Sequence, residues 1–279
     1  MSTQTPDTTV RVGRSVLQHG PLNDRVYLMQ WGGDEALLLI GAMRELARRH
    51  GYGKLFGKIP ASLLAAFLAD GFACSARIPG FFGGREDGCF VECFLQPQRQ
   101  AEPNQPAIKA ILQRCRACPP AALPALPECM QPTRAEASDM DALAALYRQV
   151  FASYPFPVHD PDYLRGTLDH VFYLLIRRAG ALVAAASCEM DREWRYAEMT
   201  DFAVLPDQRG QRLALHLLHR MEPLARAECM LTACTIARAV SGGMNVTFQR
   251  CGYRFAGTLA RNTCISGSIE SMNVWYKTL

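Results

Sequence analysis

From residue 133 onward the apolar positions switch between a period near 3.6 and a period near two, and the switches mark out elements. Leu143, Leu146, Tyr147, Val150 and Phe151 recur at helical spacing behind Ser138 and Asp141, a capping-box pair, which predicts an amphipathic helix. After a Tyr154-Pro155-Phe156-Pro157 turn comes a short helix over Pro161 to Asp169. Phe172 to Arg177 and Leu182 to Cys188 read as strands joined at Ala179-Gly180, and Glu198 to Val204 as a third strand ended by Pro206. A helix follows from Gly210 to about Arg226, with Leu213, Leu217 and Met221 on one arc and Pro223 expected to kink or shorten its last turn. Leu231 to Ile236 is a strand, Met244 to Arg250 a short helix, and Tyr253 to Leu259 with Ser271 to Tyr276 the closing strands.

The first hundred residues follow a similar rhythm. Arg25 to Gln30 predicts a strand, Asp34 to His50 a helix capped by Asp34 and ended by Gly51, and Lys54 to Lys58 a strand. A helix ending near Asp70 precedes two strands, Phe72 to Ile78 and Cys89 to Leu95. Between Leu95 and Gln131 prolines cluster, which reads as a connector interrupted by one short helix near Ala107 to Cys118. The expected organisation is a flexible tail over residues 1–10, an N-terminal unit over 11–96, a linker over 97–132 and a C-terminal domain over 133–279. The fold class is mixed α/β (α+β).

Composition narrows the function classes. Hydrophobic residues make up 49% of the 279 and charged residues 20%, which excludes a disordered chain. No apolar run approaches the roughly 18 residues of a membrane span, and residues 1–10 lack a secretory hydrophobic segment, so a cytoplasmic protein without a membrane partner is expected. Net charge is +4 with no long basic block, which argues against nucleic acid as a partner. Eleven cysteines include one Cys115-x-x-Cys118 pair with no second pair to complete a zinc set; free thiols and no metal are expected.

Ala197 to Ala214, AEMTDFAVLPDQRGQRLA, is the stretch that points to chemistry. A strand turns there into a helix N-terminus, where unpaired amides and the helix dipole favour an anion such as a phosphate, with Arg209 and Arg212 adding charge and Gly210 relaxing the turn. Glu198 and Asp201, on the strand, are candidate bases; their odd separation places them on opposite faces, Glu198 with Thr200, Phe202 and Val204.

These residues resemble motif A of the GNAT acetyltransferases, R-x-x-G-x-G/A, with Arg209 and Ala214 at its ends and Arg212 where glycine is usual. Asn245, Phe248, Gly252 and Tyr253 resemble the family's second CoA-lining region. The phrases YPFP, AEMTDFAVLP, TIARAVSGGMN and ESMNVWYK, together with HGPLNDRVYLMQ and PGFFGG near the N-terminus, look like the beta-lysine N-acetyltransferases. The resemblance implies a GNAT fold, a mixed central sheet flanked by helices, and acetyl-CoA as co-substrate. It also implies a small-molecule amine acceptor, beta-lysine, whose acetylated product is a compatible solute.

The resemblance further implies site roles. Glu198 is the expected general base, with Asp201 second. The amides of Phe202, Ala203 and Val204 would face the pantetheine arm and thioester, and Arg209, Gly210, Gln211, Arg212, Leu213 and Ala214 the pyrophosphate, with Asn245 and Phe248 across the cleft. Phe248 stands where many GNAT enzymes carry a proton-donating tyrosine, which leaves Tyr253, Cys251 or solvent to protonate the leaving thiolate. Tyr154, Phe156, Arg238 and Glu270 are expected at the substrate, Arg238 for a carboxylate and Asp201 or Glu270 for an ammonium. Other acceptors (lysine, a polyamine, a peptide N-terminus) and a catalytically inactive acyl-CoA-binding module are the competing readings, and the sequence does not decide the assembly, a homodimer being one option. Phe67-x-x-x-Gly71-Phe72 echoes Phe248-x-x-x-Gly252-Tyr253, so the N-terminal unit reads as a degenerate half-GNAT without a phosphate-binding turn, in a packing or pocket-shaping role.

Overall fold

The computed structural model describes residues 7–119 and 123–279; residues 1–6 of the expected tail and Pro120 of the proline cluster lie outside them. The N-terminal half contains β1 (Thr8–Val12), β2 (Ser15–Gly20), β3 (Arg25–Gln30), α1 (Ala36–His50), β4 (Lys54–Pro60), α2 (Leu64–Ala69), β5 (Ala73–Phe82) and β6 (Glu86–Phe94). Next comes α3 (Gln105–Arg116) in the proline-rich segment. The C-terminal half has β7 (Thr133–Arg134), α4 (Met140–Val150), α5 (Pro161–Gly166), β8 (Val171–Arg178), β9 (Ala181–Asp191) and β10 (Tyr196–Val204). It continues with α6 (Leu213–Ala227), β11 (Thr232–Arg238), α7 (Gly242–Arg250), β12 (Arg254–Ile265) and β13 (Ser268–Thr278).

All the strands join one sheet in the order β1-β2-β3-β4-β6-β5-β12-β13-β11-β10-β9-β8-β7. That order is mirrored about the β5–β12 seam. In each half two antiparallel strands lead into a parallel pair bridged by a helix, β3-α1-β4 or β10-α6-β11, and an antiparallel hairpin inserts next to the second strand. The repeat is therefore larger than the half unit expected. Everything from β8 to β13 has an N-terminal counterpart, and only β7, α4 and α5 lack one. The local echo is equally close: the Phe72 amide donates to Phe67 and the Tyr253 amide to Phe248, each at 3.1 Å, and both aromatic pairs meet edge to face.

Four details differ from the sequence reading. Residues 8–10 belong to a strand instead of a flexible tail. Asp34 does not cap α1, whose N-cap is Glu35; its carboxylate accepts from the Arg14 and Ser15 amides and the Ser15 hydroxyl at 2.6–2.9 Å, closing the β1–β2 turn. The capping box ahead of α4 is Glu136 with Asp139, because a single 3-10 turn precedes the helix. Moreover, α6 starts three residues later than expected, at Leu213, and runs through Pro223 to Ala227.

The proline-rich segment is more than a connector. Cys115 of α3 and Met130 are buried in the core that α6 and α7 cover, with Ile111 and Leu112 packed against it. The halves share a further core, in which Tyr27, Phe56, Phe81 and Phe90 meet Tyr196, Met272 and Val274. Their second joint is polar. β12 bulges between Leu259 and Thr263, and the bulge carbonyls are taken by cations of the N-terminal half: Ala260 by Lys54 at 2.7 Å, Arg261 by Arg99 at 2.8 Å and Asn262 by Arg25. Buried carbonyls without a partner are costly, so these three cations explain how a bulge is tolerated at the seam. All eleven cysteines are free thiols, and five of them are buried in apolar cores as small hydrophobes are: Cys115, Cys188 and Cys234 in the two cores above, and Cys89 and Cys93 in a third beneath α1.

Candidate active site

β10 and β11 pair in parallel only over Tyr196–Glu198 and Thr232–Cys234, then part. Glu198, opposite Cys234, is the last paired residue, and beyond it the two strands enclose the mouth of a cavity of about 720 Å³. Phe202 and Thr200 line it from β10, Ile236 and Arg238 from β11, and Met244 and Phe248 from α7. The opposite walls come from the Tyr154–Pro157 turn and from the N-terminal half, which contributes Arg25, Tyr27 and Lys58.

A bulge in β10 reorganises the strand. Register shifts between Thr200 and Ala203, and Asp201 takes φ +53°, a left-handed conformation that Asp tolerates better than most residues. The extra residue overturns the expectation that Glu198 and Asp201 occupy opposite faces. Both line the cavity, whereas Val204 turns toward the α6-side core that also holds Ala197 and Met199, and Phe202 reaches both. Ala203 is buried on the α4 side.

Asp201 is fully engaged: Tyr154 donates to one carboxylate oxygen and Ser187 to the other at 2.6 Å. Burial raises its pKa, and the Ser187 and Tyr154 hydrogen bonds pull the other way. These bonds clamp the Tyr154 turn to the sheet.

Glu198 keeps its carboxylate on the cavity, with Lys58 Nζ 3.6 Å away. Across the ladder stands Glu189, which sequence reasoning missed. Its side chain is open to the cavity but enclosed by protein, and this desolvation, followed by the charge of Glu198, pushes its pKa up to about 7. The signal was present as a lone carboxylate in the apolar run of β9. Lys58, Arg25 and Tyr27 were missed as well, because nothing local shows that such distant strands reach this cavity.

Below the mouth, the turn from β10 to α6 is exposed. Among the described residues the amides of Gly210, Gln211, Arg212, Leu213 and Ala214 donate to no protein acceptor, while Leu215 and His216 already bond the Arg212 carbonyl. Leu213 anchors the turn in the core. Arg212 has φ +60°, the left-handed region, where a helical φ had been expected; glycine is the usual residue for such a backbone. Leu205 donates to Val183, so strand alternation turns the Val204 amide away from β9 and toward the gap. Five unpaired amides beside Arg209 and Arg212 suit a pyrophosphate, and the parted strands suit an extended arm.

Four expected site residues are placed elsewhere. Asn245 is buried and saturated, donating to the Arg238 and Ser241 carbonyls and accepting from Asn273 and Trp275, all at 2.8–2.9 Å; it ties α7 to β11 and β13 and offers nothing to a cofactor. Glu270 is held by Arg238 in a two-point ion pair, 2.8 and 2.6 Å, and does not line the cavity. Tyr253 is buried on the α6 side of the sheet, its hydroxyl has no partner among the described residues, and it does not line the cavity. The Ala203 amide, by the same alternation, points toward β9, where Ala203 pairs with Ala185, and away from the gap.

Residues 140–253 match the Acetyltransferase (GNAT) family. The chain is 32% identical to the beta-lysine N(6)-acetyltransferase of Methanococcus maripaludis over 269 residues, covering 96% of this chain and 97% of that protein. It is 32% identical to the N-acetyltransferase YodP of Bacillus subtilis, covering 95% and 96% of the two chains. A beta-lysine N(6)-acetyltransferase of Methanosarcina mazei is 36% identical over 155 residues, 55% of this chain and 57% of that protein.

Proposed function

This chain belongs to the GNAT acetyltransferase family and is an N-acetyltransferase, and we propose that it transfers acetyl from acetyl-CoA to the terminal amine of a small diamino acid, beta-lysine, yielding a compatible solute. One observation carries the reading: where β10 and β11 part, the cavity between the two halves presents Glu189, Glu198 and Asp201 within one set of walls. Among these, Glu189 is free to hold an ammonium and Glu198 faces the cavity beside it. The names of two relatives support beta-lysine.

Acetyl-CoA supplies an activated acyl group when bound, and the amides from Gly210 to Ala214 with Arg209 and Arg212 would hold its pyrophosphate. The remaining work falls to the chain. An aliphatic ammonium has a pKa of about 10.4, so it must lose a proton before it can attack. Glu198 is the base, because it faces the cavity at the point of strand separation. The Val204 amide stabilises developing charge on the carbonyl oxygen. Neither Phe248 nor Tyr253 offers a proton to the leaving thiolate, and none is required: a thiol pKa of about 8.5 lets it depart and collect a proton from water.

Thiol release measured on beta-lysine, lysine, ornithine, spermidine and a peptide tests the proposal. Beta-lysine should be turned over with the highest kcat/KM. Preference for the peptide or spermidine would overturn the acceptor assignment, and turnover of none would favour an inactive acyl-CoA-binding module.

A further inference from the structure

Three cations line the acceptor cavity, Arg25, Lys58 and Arg238. Two already have carboxylate partners: Lys58 has Glu198 at 3.6 Å and Arg238 has Glu270 at 2.6 Å. Arg25 has none within 4.0 Å among the described residues. Asp7 lines the same cavity and attracts Arg25 electrostatically, but its carboxylate bonds Asn23 instead.

Arg25 is only 3% exposed. Its Nη1 donates to the Asn262 carbonyl and, at 3.2 Å, to the Thr263 hydroxyl. Nε is sealed from the cavity without a partner, whereas Nη2 makes no hydrogen bond within the described residues and keeps accessible surface. Nη2 is therefore the donor that a ligand carboxylate can meet, through a charge-assisted hydrogen bond. Its orientation is fixed, since Nη1 is pinned to β12 and the guanidinium carbon lies 4.8 Å from the centre of the Tyr27 ring. An unpartnered donor on a buried, pre-oriented cation is unfavourable unless a ligand completes it.

The carboxylates show the converse arrangement. Glu189 has neither an ion-pair partner nor a hydrogen bond among the described residues, and it lines the same cavity from β9 of the other half. The cavity thus carries an unmatched positive group on its N-terminal wall and an unmatched negative group on its C-terminal wall.

We propose that Arg25 receives the carboxylate of the acceptor through Nη2 while Glu189 faces the acceptor's spare ammonium, so that the N-terminal half sets the choice of amino acid over polyamine. The assignment rests on the acetyltransferase reading above and specifies how the substrate is oriented. It also gives the degenerate repeat a function, because strand β3 supplies the carboxylate receptor that the C-terminal half, with Arg238 committed to Glu270, does not.

The test compares beta-lysine with its carboxamide, which keeps both amines and loses the charge. The native enzyme should favour the acid by about 100-fold in kcat/KM, and Arg25→Gln should erase that preference, chiefly through KM, leaving the carboxamide within about threefold. Arg25→Lys, which keeps the charge but moves the donor away from the place Nη2 occupies, should fall between. Because Nη1 also holds β12, the native comparison of the two substrates stands even if Arg25→Gln folds poorly. Equal turnover of acid and amide by the native enzyme, or an equal loss on both substrates in a folded variant, overturns the assignment. If only amines without a carboxylate are acetylated, Arg25 loses this role and acetyltransfer stands; if no amine is acetylated, the underlying reading fails.

Discussion

Glu189 and Glu198 stand opposite each other on the β9–β10 ladder, both on the cavity, and only Glu198 has a lysine beside it. Two neighbouring carboxylates meet one cation, and Glu189, the one without it, is the one whose pKa burial pushes up.

Replacing Glu198 by glutamine keeps its shape and removes its basicity. Turnover should fall by about 100- to 10,000-fold while acetyl-CoA binding, followed by calorimetry, stays within a few-fold. Unchanged kcat would take Glu198 out of the mechanism.

Glu189 gives a pH dependence. It carries a proton below about 7 and is ionised above, while the acceptor ammonium stays charged throughout, so KM for beta-lysine should fall as pH rises through that value. In Glu189→Gln that step should be missing. The stability effect has the opposite sense. Between the ordinary 4.5 and about 7 the folded chain holds a proton that the unfolded chain has released, so raising the pH across that window destabilises the fold. Thermal melts of native enzyme and Glu189→Gln, from pH 4 to 8, check this.

Arg212 carries a backbone cost in its left-handed conformation. Arg212→Ala and Arg212→Gly remove the same side chain but differ at that backbone, so the glycine variant should be more stable by about 1 kcal/mol in urea unfolding. Both should weaken acetyl-CoA binding through loss of charge.

Gly257 sits at the β5–β12 seam, paired with Ala76. A Cβ there would lie 1.9 Å from the Ser75 carbonyl oxygen and 2.9 Å from the Ala76 Cα, both backbone atoms that cannot swing aside. Gly257→Ala should cost about 1–3 kcal/mol, visible as a lower melting temperature. An unaltered melt would show that the seam yields more readily than its geometry implies.

Elements with their own periodicity were legible in the chain. β3 and the helix ending at Gly51 could be read locally, as could the strand-to-helix turn at Arg209–Ala214, because spacing and turn residues decide them. β1 and β2 were missed: the turn between them is closed by Asp34, which looks like a helix cap until the hairpin is seen. Site residues failed where one inserted residue mattered. Alternation put Asp201 on the far face, and the bulge at Thr200–Ala203 reversed it. Asn245 and Glu270 failed for another reason, since partners on other strands had claimed their polar atoms. Arg25 and Lys58 could not be found locally, as only the mirrored sheet brings them to Glu198.

That mirrored sheet separates two jobs onto two copies of one architecture. On the function proposed, the copy holding Arg209 to Ala214 would bind the acyl donor, while the other would wall the acceptor. Substitutions on β3 and β4 can therefore retune which amine is accepted without touching donor binding, so paralogues with new acceptors should diverge first in the half that does no chemistry.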